Sequence, residues 1–262
     1  MPLHWIGQAA LRMGHLALVR HEPALVWRNR RTGGWVHRYP GGVLVSPQPR
    51  GRPWKVTAAD TYDVFFYGYE PAPGDVVVEL GAEYGTETVT LSRAVGDAGR
   101  VIAVEAHPWT CGLLAATVAA NALTNVTVLN AAVVGVAGPV RLSDGGRSTL
   151  SNSVLLPGPA LEVPGRTLDE IVASLGLSRI DLLKVNIEGA ESDALAGMES
   201  SIHLVRHAVI SCHDFVADRG EGEGFRTSAA VDAALARWGF TVTTRPTDPR
   251  PWVPYYRYAA RD

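Results

Sequence analysis

Between Val76 and Glu105 an apolar run gives way to a glycine turn, then to a helical pattern, then to a second apolar run that ends on an acid. The segment reads Val76-Val-Val78, Glu79-Leu-Gly-Ala-Glu-Tyr-Gly85, a helical stretch, and Arg100-Val-Ile-Ala-Val-Glu105. Glu105 lies 20 positions after Gly85 (105 − 85). This is the layout of a nucleoside-binding βαβ unit. The glycines let the backbone approach a ligand, and the acidic tip accepts hydrogen bonds from ribose hydroxyls.

The turn is not the dinucleotide fingerprint. That pattern needs G-x-G-x-x-G, so that a helix N-terminus can seat a pyrophosphate. Here Gly81 and Gly85 are separated by three residues and Glu79 precedes them. A carboxylate repels a pyrophosphate and attracts the ammonium of a methionine moiety. The pattern therefore favours S-adenosylmethionine over NAD. The competing reading is an ordinary strand–turn–helix with glycine for tightness.

Downstream, strands are expected at 75–80, 100–105, 126–130, 181–187 and 207–212, and helices at 85–96, 108–122, 167–175, 189–200 and 227–238. Such alternation means a parallel sheet with helices on both faces. Residues 240–244 and 255–259 read as a hairpin added to the sheet edge, while residues 135–163, rich in Gly, Pro, Ser and Asn, interrupt the alternation. Upstream, Leu3, Ile6, Ala10, Met13 and Ala17 recur at helical spacing, so residues 3–19 read as an amphipathic helix. Residues 24–46 read as short strands with turns at 32–34 and 40–42, and Asp60 to Tyr69 as a helix. The expected organisation is an extension over 1–70 and an α/β domain over 71–262. The sheet is expected to have seven strands, mostly parallel.

In open α/β sheets, ligands sit at the carboxyl ends of the strands. The first tip offers Glu79, Gly81, Ala82, Glu83, Tyr84 and Gly85 to a cofactor. The second offers Glu105 and Ala106, the third Asn130 and Ala131, and the fourth Asn186 and Glu188. The fifth offers His213 and Asp214. His213, Asp214 and Glu188 are the catalytic candidates, since a neutral imidazole or a carboxylate can take a hydroxyl proton. Asn186, His213 and Asp214 could instead hold a divalent metal such as magnesium. Glu191 reads as a first-turn helix charge or a salt-bridge partner. Lys184, inside an apolar strand, reads as the partner of a carboxylate. Arg147 to Ser153 reads as a solvated loop or as a contact for a polar acceptor. Tyr62 and Phe66 read either as rings packed over the cofactor or, from their helical spacing, as core. Trp5, Trp27, Trp35 and Trp54 read as an acceptor groove or a subunit contact. The acceptor surface is expected from residues 1–70, 143–153 and 246–256.

With 262 residues and 47% hydrophobic content, the chain can bury a full core. A net charge of −2 without like-charged runs argues against nucleic acid as the partner. Two cysteines, Cys111 and Cys212, match neither a disulfide framework nor a zinc pattern. No apolar run reaches the length of a membrane span, about 20 residues. No convincing secretion signal is present, so the expected compartment is the cytoplasm. The expected partners are a small-molecule or glycan acceptor and a second copy of the chain.

Several ordered motifs carry a family resemblance: Glu79 to Gly85; Val101-Ile-Ala-Val-Glu-Ala-His-Pro108; Asn130-Ala-Ala-Val133; Thr167-Leu-Asp-Glu170; and Asp181-Leu-Leu-Lys-Val-Asn-Ile-Glu-Gly-Ala-Glu191. Over about residues 60–215 the chain resembles the FkbM methyltransferases. The resemblance implies a class I, Rossmann-like methyltransferase fold that uses S-adenosylmethionine, and O-methylation of natural products, sugars or glycans. It places the cofactor at Glu79, Gly81, Gly85 and Glu105. The family pattern has Asp where this chain has Asn186. That change is the one feature favouring a catalytically silent relative. An NAD-dependent sugar-nucleotide oxidoreductase is disfavoured by the missing third glycine and by the lack of a Tyr-x-x-x-Lys pair.

Overall fold

The computed structural model describes residues 15–19, 22–144 and 159–261, the first five as backbone alone. Residues 3–14 of the helix expected over 3–19, Trp5 and the Arg147–Ser153 loop lie outside the described residues. No helix among the described residues is long and apolar enough to cross a membrane.

The central sheet is built from β5 (Val76–Leu80), β6 (Arg100–Glu105), β7 (Val126–Asn130), β11 (Ile180–Val185), β12 (Val205–Ser211), β13 (Thr241–Thr243) and β14 (Tyr256–Ala260). Their order is β13-β14-β12-β11-β5-β6-β7. β14 alone runs against the direction of the other six strands, pairing β12 on one side and β13 on the other. The register aligns Lys184 with Glu79 and Glu105 with Asn130. Every residue of β11 is buried, as expected for a central parallel strand covered on both faces.

Helices α2 (Thr88–Val95), α3 (Pro108–Ala120), α4 (Leu168–Leu175), α5 (Glu191–Ala196), α6 (Asp214–Asp218) and α7 (Ser228–Arg237) flank the sheet. Their ends follow local chemistry. Proline opens α3 after His107, whose ring accepts from the Thr110 N–H. Thr167 and Glu170 form a reciprocal capping box on α4, and Gly176 ends it in the left-handed conformation at φ +59°. One face of the sheet packs Leu168, Ile171, Ala194, Leu195, Val231 and Leu235 against Val78, Ile102, Leu183 and Ile210. The other packs Phe65, Phe66 and Leu91 against Val77, Leu182 and Val209.

The N-terminal region departs from expectation in two places. His15–Val19 is β1, antiparallel to β2 (Glu22–Arg28), and not the end of a helix. Pairing with a neighbouring strand overrides the helical spacing there. The helix expected over 60–69 starts earlier, as α1 (Trp54–Asp60), and continues through a wider π-turn at Thr61–Phe65. With β3 (Trp35–Tyr39) and β4 (Gly42–Ser46), the first strands form a four-stranded antiparallel sheet. Its edge strand β4 is hydrogen-bonded to side chains of α3 and the residue after it. The Val45 N–H donates to Thr117 Oγ1 at 2.9 Å, and the Val43 N–H to Asn121 Oδ1 at 3.0 Å. Trp27, Trp35 and Trp54 pack into this seam, alongside Val36, Leu44, Val89 and Leu113.

Residues 135–163 do not merely interrupt the alternation. β8 (Ala132–Val133), β9 (Gly138–Ser143) and β10 (Ala160–Arg166) form a small separate sheet in the order β8-β10-β9. Its glycines and prolines, including Pro164 inside β10, mask strand character in the sequence.

Candidate active site

Two cavities open at the carboxyl ends of the central strands. The first, about 670 Å³, lies between the tips of β5, β6 and β11. The second, about 810 Å³, lies beside it and reaches β12, α1 and the loop before β14. Gly81, Glu83, Asn186 and Glu188 line both, so these four residues form the junction.

The β5 turn is shaped by close approach. Gly81 has φ +78°, and a β-carbon there would stand 1.9 Å from the Asn186 carbonyl oxygen. Glu83 (φ +48°) and Glu188 (φ +54°) also adopt the left-handed conformation. It costs a non-glycine residue roughly 1–3 kcal/mol and clusters at functional sites.

Glu105 is held by two backbone donors. The Glu83 N–H donates to Oε2 at 3.0 Å and the His107 N–H to Oε1 at 2.9 Å. Each carboxylate oxygen keeps a lone pair for a further donor. Burial pushes Glu105 up to about 7, against the pull of those two N–H groups. Burial, reinforced by Glu87, pushes Glu83 up to about 8.

Ala106 and Ala131 line the first cavity, together with Val104, Ala132, Val133 and Leu142. These apolar residues suit a flat heterocycle. The remaining cofactor candidates lie elsewhere. Glu79 is fully buried, accepting from Thr88 Oγ1 at 2.6 Å and from Lys184 Nζ at 3.4 Å. Ala82 packs against Ala103 and Leu114. Tyr84 packs with Val36, Val45 and Leu113 at the seam with the N-terminal sheet. At Gly85 an added β-carbon would meet Leu114, not the cavity. The Asn130 amide donates to the carbonyls of Glu105 and Ala106 at 2.9 Å, bracing the tip that carries the acid.

Lys184 is paired, as expected, and it also donates to the Gly81 carbonyl at 2.8 Å. Burial would pull its pKa down, but Glu79, Glu87 and Glu83 outweigh burial and hold it as an ammonium.

In the second cavity His213 is 2% exposed and sits between two carboxylates. Nδ1 is 2.8 Å from Glu191 Oε1, and Nε2 is 3.5 Å from Glu188 Oε1. Burial favours the neutral ring, yet the two carboxylates reverse this and push the pKa up to about 10. The expected neutral imidazole base is therefore an imidazolium here. Asp214 lines neither cavity. Its carboxylate accepts from the N–H groups of Thr227 and Ser228 and from Ser228 Oγ, at 3.1, 3.0 and 2.6 Å, which caps α7. The expected metal set does not assemble either. The oxygens of Asp214 face α7, both His213 nitrogens face carboxylates, and only the Asn186 amide is left. Among the described residues no group of three or more His, Cys, Asp or Glu is arranged to hold a metal ion.

The rest of the second cavity was not singled out from sequence as site residues: Arg52, Asp60, Val64 and Phe65 from the N-terminal region, Glu87 and Ser211, and Phe215, Trp252 and Tyr256. Residues 1–70 and 246–256 do supply part of this lining. Arg52 and Arg250 flank Asp60 at 3.7 and 3.6 Å, tying the late loop to α1.

Comparison with known proteins identifies the family. The family described as "Methyltransferase FkbM domain" matches residues 79–242. A stretch of 81 residues, 30% of this chain, is 37% identical to the AMB antimetabolite synthetase AmbE of Pseudomonas aeruginosa, and the chain spans 4% of that protein's length. Among solved structures, a candidate rRNA-methylase from Clostridium thermocellum aligns with a TM-score of 0.51 at 13% identity, covering 79% of this chain and 97% of that one. Fibrillarin of Aeropyrum pernix, solved with natively bound S-adenosyl-L-methionine, aligns with a TM-score of 0.48 at 15% identity, covering 90% and 99%. The strand order is that of a class I methyltransferase, and the chain belongs to the FkbM methyltransferase family.

Proposed function

We propose that this chain is an S-adenosylmethionine-dependent O-methyltransferase whose acceptor is a small molecule or glycan. The observation that carries the reading is the meeting of two cavities at Gly81, Glu83, Asn186 and Glu188. One cavity suits a nucleoside with a cationic tail, and the other suits a second reactant. The local identity to an antimetabolite synthetase favours a natural-product acceptor.

The cofactor fits the residues present. Glu105 would take the ribose hydroxyls, and Ala106, Ala131, Val133 and Leu142 would face the adenine. Glu83 and Glu188 would face the positive charges of the methionine end. When bound, S-adenosylmethionine supplies a methyl group on a sulfonium with a neutral thioether as leaving group. The protein's task is then mainly positioning, which can remove about 7–11 kcal/mol from a bimolecular barrier. Phe65, Phe215, Trp252 and Tyr256 would orient the acceptor and exclude water. Glu188, at the junction, would take the hydroxyl proton, with the His213 imidazolium balancing its charge.

The test is calorimetric titration followed by turnover. S-adenosylhomocysteine should bind and NAD should not. Label from S-adenosylmethionine should reach a hydroxyl in a panel of sugar, polyketide and peptide acceptors. Binding of NAD alone would sink the reading. Cofactor binding without transfer to any acceptor would favour a silent relative in which Asn186 replaces the usual Asp.

A further inference from the structure

We propose that Glu191 is a positioning residue for methyl transfer, fixing both the loop that carries Glu188 and the His213 ring that faces it across the acceptor cavity. The inference rests on the methyltransferase reading of that cavity.

Glu191 is fully buried at the start of α5. A buried carboxylate is costly unless every lone pair finds a donor. Three donors converge on it from three elements. The Gly189 N–H donates to Oε1 at 3.1 Å, His213 Nδ1 lies 2.8 Å from the same oxygen, and Thr227 Oγ1 donates to Oε2 at 3.0 Å. Gly189 directly follows Glu188, and both have positive φ, +94° and +54°. One carboxylate thus pins the unusual turn that presents Glu188. It also pins the ring on the neighbouring strand tip and the residue that leads into α7. With Nδ1 committed to Glu191, only Nε2 is left to face Glu188, and it does so at 3.5 Å. The carboxylates that act on the ring are Glu188 and Glu191; adjacent Asp214 turns to the N-terminus of α7. Glu191 lines neither cavity, so it acts through its partners and not on the acceptor.

The experiment compares the full-length wild type with Glu191→Gln and Glu191→Asp. Nitrogen-15 NMR reads the charge and tautomer of His213, with His213→Gln to assign the signal. Calorimetry reads S-adenosylhomocysteine binding, and steady-state turnover reads kcat and KM. The wild-type ring should stay an imidazolium from pH 6 to 9. In Glu191→Gln it should titrate within that window, because one of its two carboxylates is gone. kcat should fall about tenfold or more, with KM and S-adenosylhomocysteine affinity within about twofold. Glu191→Asp should restore part of both. An unchanged His213 titration in Glu191→Gln would overturn the proposal. So would a loss of kcat matched by an equal loss of cofactor affinity, which marks a merely structural role. A wild type that binds no S-adenosylhomocysteine would overturn the functional reading instead, and the NMR titration would still decide whether Glu191 sets the ring.

Discussion

The carbonyl oxygen of Asn186 occupies the space that a side chain on Gly81 would need. That close packing joins the tips of β5 and β11 at the point where the two cavities meet. Gly81 is therefore required twice, for its φ of +78° and for this contact. Neither strand tip can yield cheaply, because Lys184 ties the Gly81 carbonyl to β11.

Gly81→Ala should accordingly destabilise the protein by about 3 kcal/mol, as overpacking at backbone does. Cofactor binding should disappear with it. Chemical denaturation and titration with S-adenosylhomocysteine check the two effects. A folded variant with normal affinity would show that the turn can open.

Lys184 and Glu79 form a fully buried pair. Lys184→Met leaves Glu79 as an uncompensated buried carboxylate and should cost about 3–5 kcal/mol. The double variant Glu79→Leu with Lys184→Met should recover most of that loss, since it removes both charges. Equal stability of the single and double variants in urea unfolding would contradict the pairing.

Much of the architecture was legible because parallel strands announce themselves. Val76–Leu80, Arg100–Glu105 and Ile180–Val185 are nearly continuous apolar runs with helical patterns between them. The terminal hairpin was legible too, from Phe240 onward. The small sheet was not, because β8 pairs through two residues and β10 carries Pro164. Within the site, residues whose backbone forms the junction could be read from glycine spacing and strand tips. Orientation could not. Glu79 lies in β5 just before the turn and Tyr84 lies in the turn beside Glu83, yet one faces Lys184 and the other the seam under β4. A one-residue step on a turn reverses a side chain's direction, and no spacing rule records it. The Glu188-x-x-Glu191 pair was visible, but its meaning depended on His213, 22 residues after Glu191 and just past the tip of β12.

Asp214 is a capping residue, and its substitution should register as stability. Asp214→Ala leaves the Thr227 and Ser228 N–H groups without their acceptor and should cost about 1–3 kcal/mol. Cofactor affinity and the pH profile of turnover should stay close to wild type. Loss of turnover at full stability would return Asp214 to the chemistry.

Glu105 links the cofactor cavity to pH. Glu105→Ala should weaken cofactor binding by about 1.5–3 kcal/mol, the range for charge-assisted hydrogen bonds, with the fold intact. The folded-state values of Glu105 and Glu83, about 7 and about 8, lie above the ordinary glutamate value near 4.3. Between those limits the folded protein binds more protons than the unfolded chain, so ligand-free stability should fall as pH rises from about 5 to 8. The same rise ionises both carboxyls. Affinity for the cationic cofactor should therefore increase across that window, with proton release on binding. Calorimetry in buffers of different ionisation enthalpy reads that release directly. Glu83→Gln should flatten both slopes, and a variant whose melting temperature still falls as steeply as wild type would place the responsible protons elsewhere.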